Sequence, residues 1–393
     1  MTTLLLLYTE PPTRRVFAKH RPGRLILASD EISDEDRRIY DECLQLPPIT
    51  DLEGTLAALD RIKCDRLVIQ TEYGLLPGAL LADRRGEPGP SPEAALLCTN
   101  KWLFRKTCEK HGVPVPRFAL AESAADVQRF AERFPVVLKP VASTLQRLVT
   151  RVDSKADLEE KVAELRRGLP QAPDVLRCRE FARLARLDLD CDPTRQFLVE
   201  DFVQGQPLET DGLIFGDNID LFGVTEQVHT DSPHFYIEGY IFPVSGDGLK
   251  ATSEAAIRAI GLKNAGFSIE FRGGTVIEVN GRLGEDEGFP DLFQAALGQY
   301  PILKWIDGNA APSRPQGHFA VAYACWYAGG TVKSVSNDAG STILVSPGRT
   351  LHAPPHPDVW PHLAYALASH PTSSHAAYQI AREKVSRVRF EIE

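Results

Sequence analysis

Short apolar runs alternate with amphipathic stretches over the first ninety or so residues of the chain. TLLLLY (Thr3–Tyr8), GRLILA (Gly23–Ala28) and DRLVIQ (Asp65–Gln70) have the length and content of buried strands. Between them lie ISDEDRRIYDECL and TDLEGTLAALDRI, which read as helical. In the second, Thr50 or Asp51 can cap, and Leu52, Leu56, Leu59 and Ile62 make a stripe at helical spacing. Strands that alternate with helices predict a small parallel sheet. The turn formers of GEPGPSP, Gly86–Pro92, read as a loop or boundary, and residues 1–95 are expected to form one α/β domain.

The pattern changes after that. TNKWLFRKTCEKHG (99–112) predicts a helix capped by Thr99 or Asn100 and ended at Gly112. Two shorter helices are signalled by Ser123 with Asp126 and by Ser154 with Asp157, both resembling capping boxes. PVVLKP reads as a buried strand ending on Lys139, and a second strand is expected around Arg147–Val152. Residues 170–194 have weak periodicity and read as an irregular insertion. QFLVEDFV follows, and DGLIFGDNIDLFGVTEQV reads as a hairpin or meander with turn residues at Gly216–Asn218. SEAAIRAIGLKNAG is a short helix, and FSIEFRGGTVIEVN is a second hairpin. Beyond about 310 strands are expected near HFAVAYACWY and STILV, with a last helix over Ser374–Lys384.

The second hairpin carries the first chemical signal. Phe267, Ile269 and Phe271 share one face of their strand, and Ser268 and Glu270 share the other. In the partner strand Ile277 and Val279 are read as the apolar face, with Val276, Glu278, Asn280 and then Arg282 opposite. A two-residue turn at Gly273–Gly274 would pair Glu270 with Ile277. A three-residue loop, Gly273–Thr275, pairs Arg272 with Val276 and Glu270 with Glu278, and this register is predicted. Two carboxylates so placed repel unless a cation lies between them. With the Asn280 amide they suit Mg²⁺ or Mn²⁺, although a solvated strand face carries acids too.

Charge narrows the function classes. The chain has a net charge of -9, so a nucleic-acid partner is not expected. No apolar run approaches membrane length, and LLLLY is read as a first strand. Seven cysteines lie scattered without a CxxC pair, which predicts a reduced, cytoplasmic protein. A metal held by carboxylates usually serves a phosphate ligand. Neither the P-loop motif nor a Rossmann glycine motif is present, and GGTVKS (Gly329–Ser334) has the wrong spacing. Two lysines stand out instead. Lys139 ends an apolar strand, and Lys101 sits in the first turn of its helix, where the dipole disfavours a cation unless both meet an anion.

Four segments in order, CTNKWLFRKTCEKHGVPVP, FPVVLKP, FLVEDFVQG and FSIEF…VIEVNGRLG, resemble the ATP-grasp carboxylate–amine ligases, and in particular their amino-acid-ligating members. The likeness covers roughly residues 60–300 and takes in Gln70–Ala95, with an acid at Glu72. It implies an N-terminal parallel α/β domain followed by two α+β lobes enclosing ATP. The lobes would occupy 96–310, the small one about 115–200 and the large one about 201–310. Residues 311–393 would complete the large lobe or form an accessory domain.

By the same resemblance Lys101 and Lys139 would contact phosphates, and Glu200, Asp201 and Phe202 would form the adenine hinge. Glu270, Glu278 and Asn280 would hold Mg²⁺ (or Mn²⁺), and Arg282 would stabilise the transferred phosphoryl group. Lys139, Glu278 and Arg282 are thus the expected catalytic residues. Three departures stand out. The phosphate-covering loop, Val141–Val152, has no glycine, so Ser143, Thr144 and Arg147 would serve there and a less supple lid is expected. Pro207 replaces the usual ribose acid, leaving Glu209 or Asp211 to compensate. RLGEDEG replaces an Arg-x-Gly-Gly run. Small-molecule carboxylate and amine substrates are expected, with Glu226, His229, Glu238 and Glu287 as candidate contacts. Homodimers are common in the family. Two other readings share the resemblance: a biotin-carboxylase-like enzyme activating bicarbonate, and a non-catalytic ATP-binding regulator.

Overall fold

The computed structural model describes residues 2–8, 10–230, 236–336, 340–353 and 361–393. Its first part is β1 (Thr3–Leu7), α1 (Pro11–His20), β2 (Arg24–Ser29), α2 (Asp36–Ile39), β3 (Glu42–Gln45), α3 (Leu52–Leu59) and β4 (Arg66–Ile69). The strands form a parallel sheet in the order β3-β2-β1-β4. Asp51 caps α3 by accepting from the Gly54 N–H, as the stripe and its cap predicted. The segment 32–44 departs from expectation: only four residues are helical before the chain becomes β3. The Asp41 carboxylate accepts from the Leu25 N–H and from Arg21, which ties the chain to the edge of β2 and ends the helix.

Three helices lead out of this sheet: α4 (Glu72–Arg85), α5 (Pro92–Thr99) and α6 (Lys101–Lys110). The turn formers Gly86–Ser91 form the expected loop between α4 and α5, with Ser91 as the cap of α5 and Pro92 at its first helical position. Asn100 caps α6, its side chain accepting from the Leu103 N–H, and so fixes where Lys101 emerges.

A second sheet is built from β5 (Phe118–Ala121), β6 (Val136–Pro140), β7 (Thr150–Val152) and β8 (Phe197–Asp201). It is antiparallel, in the order β5-β8-β6-β7. Helices α7 (Ala124–Phe130) and α8 (Leu158–Gly168) accompany it. Ser123 and Asp126 form the expected capping box on α7. At α8 the Ser154 hydroxyl bonds Asp157, but the helix begins only at Leu158 and has no side-chain cap. The stretch read as irregular contains α9 (Pro173–Ala185), which buries Val175, Cys178 and Phe181.

The third sheet has eight strands in the order β13-β12-β9-β10-β11-β14-β18-β16. Its members are β9 (Pro207–Phe215), β10 (Asn218–His229), β11 (Ile237–Phe242), β12 (Ala265–Arg272), β13 (Thr275–Asn280), β14 (His318–Cys325), β16 (Thr342–Ile343) and β18 (His362–His370). Strands beyond residue 310 therefore extend the sheet that carries the hairpin. A separate three-stranded sheet combines β15 (Gly330–Ser336), β17 (Thr350–Leu351) and β19 (Arg389–Ile392). Helix α10 (Leu249–Ile260) follows β11, α11 (Phe289–Leu297) and α12 (Pro301–Asp307) follow β13, and α13 (Ser374–Val385) follows β18. Among the described residues no helix is long and apolar enough to cross a membrane.

One polar cluster ties α12 to the large sheet. Lys304 Nζ donates to Asp220 Oδ2 at 2.5 Å, to the Ala311 carbonyl and to Ser313 Oγ, and the Ser313 N–H donates to Asp220 Oδ1. Both charged side chains are buried. Removing one partner of a buried pair leaves the other charge unpaired, which typically costs about 3–5 kcal/mol. Lys304→Ala is expected to lower unfolding free energy by about 3 kcal/mol or more in denaturant titration. The double variant D220A/K304A should lose less than the sum of the two single losses.

Candidate active site

The site is built on the polar face of β9, β12 and β13. Glu270 pairs across the sheet with Glu278 on one side and with Glu209 on the other. The next row holds Asn280, Ser268 and Asp211. The expected pairing of Glu270 with Glu278 is present, but it arises differently. Arg272 pairs with Thr275 across a two-residue Gly273–Gly274 turn, and a bulge between Glu270 and Phe271 then shifts the register by one residue. Both turn glycines have positive φ, as a type I′ turn needs. The bulge also turns Val276, not Ile277, into the core beside Phe271, correcting the predicted face.

Lys101 answers this row of like charges. Its Nζ donates to Glu278 Oε1 at 2.7 Å and to the Ser143 carbonyl at 3.1 Å. The protons of the row divide accordingly. Burial, the Glu278 charge and Glu209 push the Glu270 carboxyl up to about 8. Burial also works to raise Glu278, but Lys101 outweighs it and holds that carboxyl below its ordinary value. Glu209 is raised chiefly by burial, against bonds from Ser268 Oγ and Gln227 Nε2 that occupy its two oxygens. Asp211 is 1% exposed and is pushed well above the ordinary range, first by burial and then by Glu209.

Arg105, one helical turn after Lys101, is fully buried. Its Nε donates to Glu200 Oε1 at 2.6 Å and its Nη2 to the Ile277 carbonyl, so it joins β8 to the hairpin. Lys139 Nζ lies 2.7 Å from Glu200 Oε2. Burial alone would raise the Glu200 carboxyl, but these two cations override it and bring it down to about 2. Asp201 is held by Arg117 through two bonds, and the Arg151 guanidinium lies 4.5 Å from the Phe202 ring centroid. Arg105 was not singled out in the sequence. Its signal was a like-charged pair four residues apart, Lys101 and Arg105, which a solvent-facing helix disfavours.

Arg282 Nε donates to Glu72 Oε2 at 3.3 Å, bringing the end of the hairpin to the start of α4. Glu72 is raised by burial and drawn back by Arg282. Ser143 is buried, and its hydroxyl has no hydrogen-bond partner among the described residues. Arg147 lies 3.6 Å from Asp174 Oδ2 and donates to the Tyr73 hydroxyl. Thus Lys101, Ser143, Glu270, Glu278, Asn280 and Arg282 gather around one end of the hairpin, with Lys139 on β6 and Glu200–Phe202 at the end of β8 nearby.

The candidate substrate residues are distributed differently. His229 Nδ1 faces Arg272 Nη2 at 3.0 Å and its Nε2 faces Gln227 Oε1, which links it to Glu209. Burial and then Arg272 lower its pKa to about 4, so it is neutral near pH 7. Glu287 pairs with Arg15 of α1. Glu238 accepts from the Tyr327 hydroxyl, and Glu226 pairs with His375 of α13, away from the carboxylate row. Two acids not singled out for substrate lie by Arg282: Glu10, raised by burial, and Glu285, raised well above the usual range by burial and then by Glu10.

The donor set fits a hard cation shared with a ligand. Among the described residues no three carboxylates, histidines or cysteines converge into a complete cage. Mg²⁺ is commonly held by one or two carboxylates and completed by phosphate oxygens and water. A raised carboxyl facing a lowered one across two strands is an anionic place that a divalent ion would relieve.

No known family model matches the chain. By sequence it is similar to an uncharacterized protein, y4rH, of Sinorhizobium fredii, at 31% identity over 224 residues, 53% of this chain and 41% of that protein. It is also similar to a D-alanine–D-alanine ligase of Herminiimonas arsenicoxydans, at 32% identity over 130 residues, 30% of this chain and 36% of the relative. The matches thus span less than half the length of either relative. By structure it is similar to an L-amino acid ligase from Bacillus licheniformis, with a TM-score of 0.80 at 18% identity, covering 100% of this chain and 99% of that one. The biotin carboxylase domain of Hydrogenobacter thermophilus 2-oxoglutarate carboxylase, a dimer in complex with MgADP, ADP and bicarbonate, gives a TM-score of 0.71 at 14% identity, covering 100% and 91%.

Glu270 sets a pH dependence. Its folded value of about 8 exceeds its ordinary value of 4.5, so the folded form binds the proton more tightly. The stability this group contributes is complete below pH 4.5 and is lost as pH rises toward 8. The melting temperature of the ligand-free protein is expected to fall between pH 6 and pH 8.5, and to fall less in E270Q. Parallel curves for the two proteins would contradict the assignment.

Proposed function

The chain has the ATP-grasp fold, and on that premise we propose that it is an ATP-dependent ligase joining a small carboxylic or amino acid to an amine. The observation that carries this reading is the cross-strand pair Glu270–Glu278, with Asn280 in the next row and Lys101 closing on Glu278. Such a row has no purpose in an apolar core and matches the needs of a metal-bound triphosphate.

Glu270, Glu278 and Asn280 would hold Mg²⁺, or Mn²⁺ in its place. When bound, the ion neutralises charge that builds on the transferred phosphoryl group. Lys101 and Lys139 would supply cations to ATP phosphates, Lys139 by leaving Glu200. The strand end Glu200–Phe202 would receive the adenine, and Arg282 would face the reacting phosphoryl group from beside Glu72. The opposite ends of this site thus belong to different sheets, which lets closure bring them together.

The chemistry follows from the leaving group. A carboxylate cannot lose oxide to an amine. If its oxygen attacks the terminal phosphorus of ATP, the bond to ADP breaks and an acyl phosphate forms. The amine nitrogen then attacks the acyl carbon, phosphate departs, and the nitrogen loses a proton to give the amide. The acids around Arg282, Glu10, Glu72 and Glu285, are suited to an ammonium-bearing substrate such as an amino acid.

Phosphate release from Mg²⁺ and ATP across pooled amino acids and small acids tests the reading. Release is expected only with particular pools. It should fall by about a hundredfold or more in E278Q, K139M and R282A, the scale on which loss of one charge-stabilising group acts. Release that ignores every acid and amine, or survives E278Q unchanged, would sink the proposal.

A further inference from the structure

The loop between β6 and β7 is built without glycine, yet Leu145, Gln146 and Leu148 have φ of 50°, 57° and 58°. That left-handed region is disfavoured for side chains of this kind, so something must hold them there. One anchor is apolar: Leu148 packs over Gly168 of α8, where a Cβ would lie 2.7 Å from its methyl carbons. The other is a single carboxylate. Asp174, in the first turn of α9, accepts from the Thr144 N–H and from Thr144 Oγ1, both at 3.0 Å on Oδ2. The Arg147 guanidinium approaches the same oxygen at 3.6 Å.

A backbone N–H, a hydroxyl and a guanidinium meeting on one oxygen is the donor set that binds a phosphate oxygen. The loop starts against the carboxylate row, since the Ser143 carbonyl accepts from Lys101. Asp174 is 4% exposed, and its other oxygen, Oδ1, is buried without a hydrogen-bond partner. A buried carboxylate oxygen left unmet among the described residues calls for an explanation. Here every donor that Asp174 receives comes from the loop. Helix α9 is itself fixed to the N-terminal part, because Arg177 Nη2 donates to the Tyr73 carbonyl at 2.8 Å. Arg147 also reaches the Tyr73 hydroxyl, so loop and latch share one support.

We propose that Asp174 is a positioning residue that stands in for a nucleotide phosphate: it occupies the anion-binding donors of the 143–148 loop in the nucleotide-free protein and yields them when a nucleoside triphosphate arrives. The inference rests on the ATP-dependent reading of the site. It explains how a loop without glycine opens and closes. The donors exchange one anion for another, and release from the left-handed backbone accompanies the exchange.

The test compares the full-length protein with D174A and the isosteric D174N, which keeps an acceptor oxygen but loses the charge that Arg147 meets. In the absence of nucleotide, hydrogen exchange at the Thr144 amide is expected to quicken by about tenfold in D174A, as for a locally opened segment. Calorimetric titration with Mg²⁺ and a non-hydrolysable ATP analogue should give an affinity about threefold tighter in D174A, because the competing closed state is removed. D174N should fall between. A residue that only supports the fold would weaken binding when removed. Unchanged Thr144 exchange, or an affinity unchanged or weaker in both variants, overturns the proposal. If the wild-type chain binds no nucleotide, the ligase reading fails, while quicker Thr144 exchange in D174A still shows that the latch exists.

Discussion

Repulsion between Glu209, Glu270 and Glu278, set side by side across three strands, is the constraint on which the rest of this structure turns. No sheet gathers three carboxylates in a row for stability, since like charges directly opposite one another destabilise a strand pair. The surroundings show what the row requires. Asn100 caps α6 so that Lys101 leaves the helix toward Glu278. Ser268 and Gln227 satisfy Glu209. Glu209 and Glu270 both carry raised proton affinity, and Glu270, which faces the ionised Glu278, is the place a cation would relieve.

The cations obey a second constraint: each has a resident carboxylate. Lys101 has Glu278, Lys139 and Arg105 share Glu200, Arg282 has Glu72, and Arg147 has Asp174. Buried cations without partners would be costly, so a site that receives ATP, as proposed, needs resident partners for its cations before the ligand arrives. Phosphate, if it binds as proposed, would exchange partners with these carboxylates. The four carboxylates come from different elements, namely β13, β8, α4 and α9, so partner exchange at the site would touch the N-terminal helices and the second and third sheets.

Much of this was legible in the sequence, and the misses have physical causes. The pairing of Glu270 with Glu278 followed from alternation and from where the glycines stand. The route to it did not, because a two-residue turn with a bulge and a three-residue loop deliver the same pair of acids to one face. Val276 shows the difference, since only the bulge buries it. Helix α9 escaped because its periodicity is blurred by Arg177 and Asp174, buried polar residues on a helix face that packing alone would make apolar. Asp174 is also the residue that bonds the loop, and Arg177 ties its helix to Tyr73. Arg105 was hidden for the same reason: it is a fully buried arginine whose partners, Glu200 and the Ile277 carbonyl, are far away in sequence. Strand β3 was lost to a tertiary bond from Asp41 that local pattern does not contain.

The central claim is that the row on β12 and β13 holds a divalent cation together with a nucleotide. Electron paramagnetic resonance of Mn²⁺ tests it most directly, because free and bound Mn²⁺ give distinct signals. The protein would be titrated with Mn²⁺ in the presence of a non-hydrolysable ATP analogue, beside the double variant E270Q/E278Q. The account predicts that the wild-type protein converts Mn²⁺ to a protein-bound form beyond what the nucleotide alone takes up, and that the double variant does not. Equal uptake by the two proteins, or none by either, would contradict it.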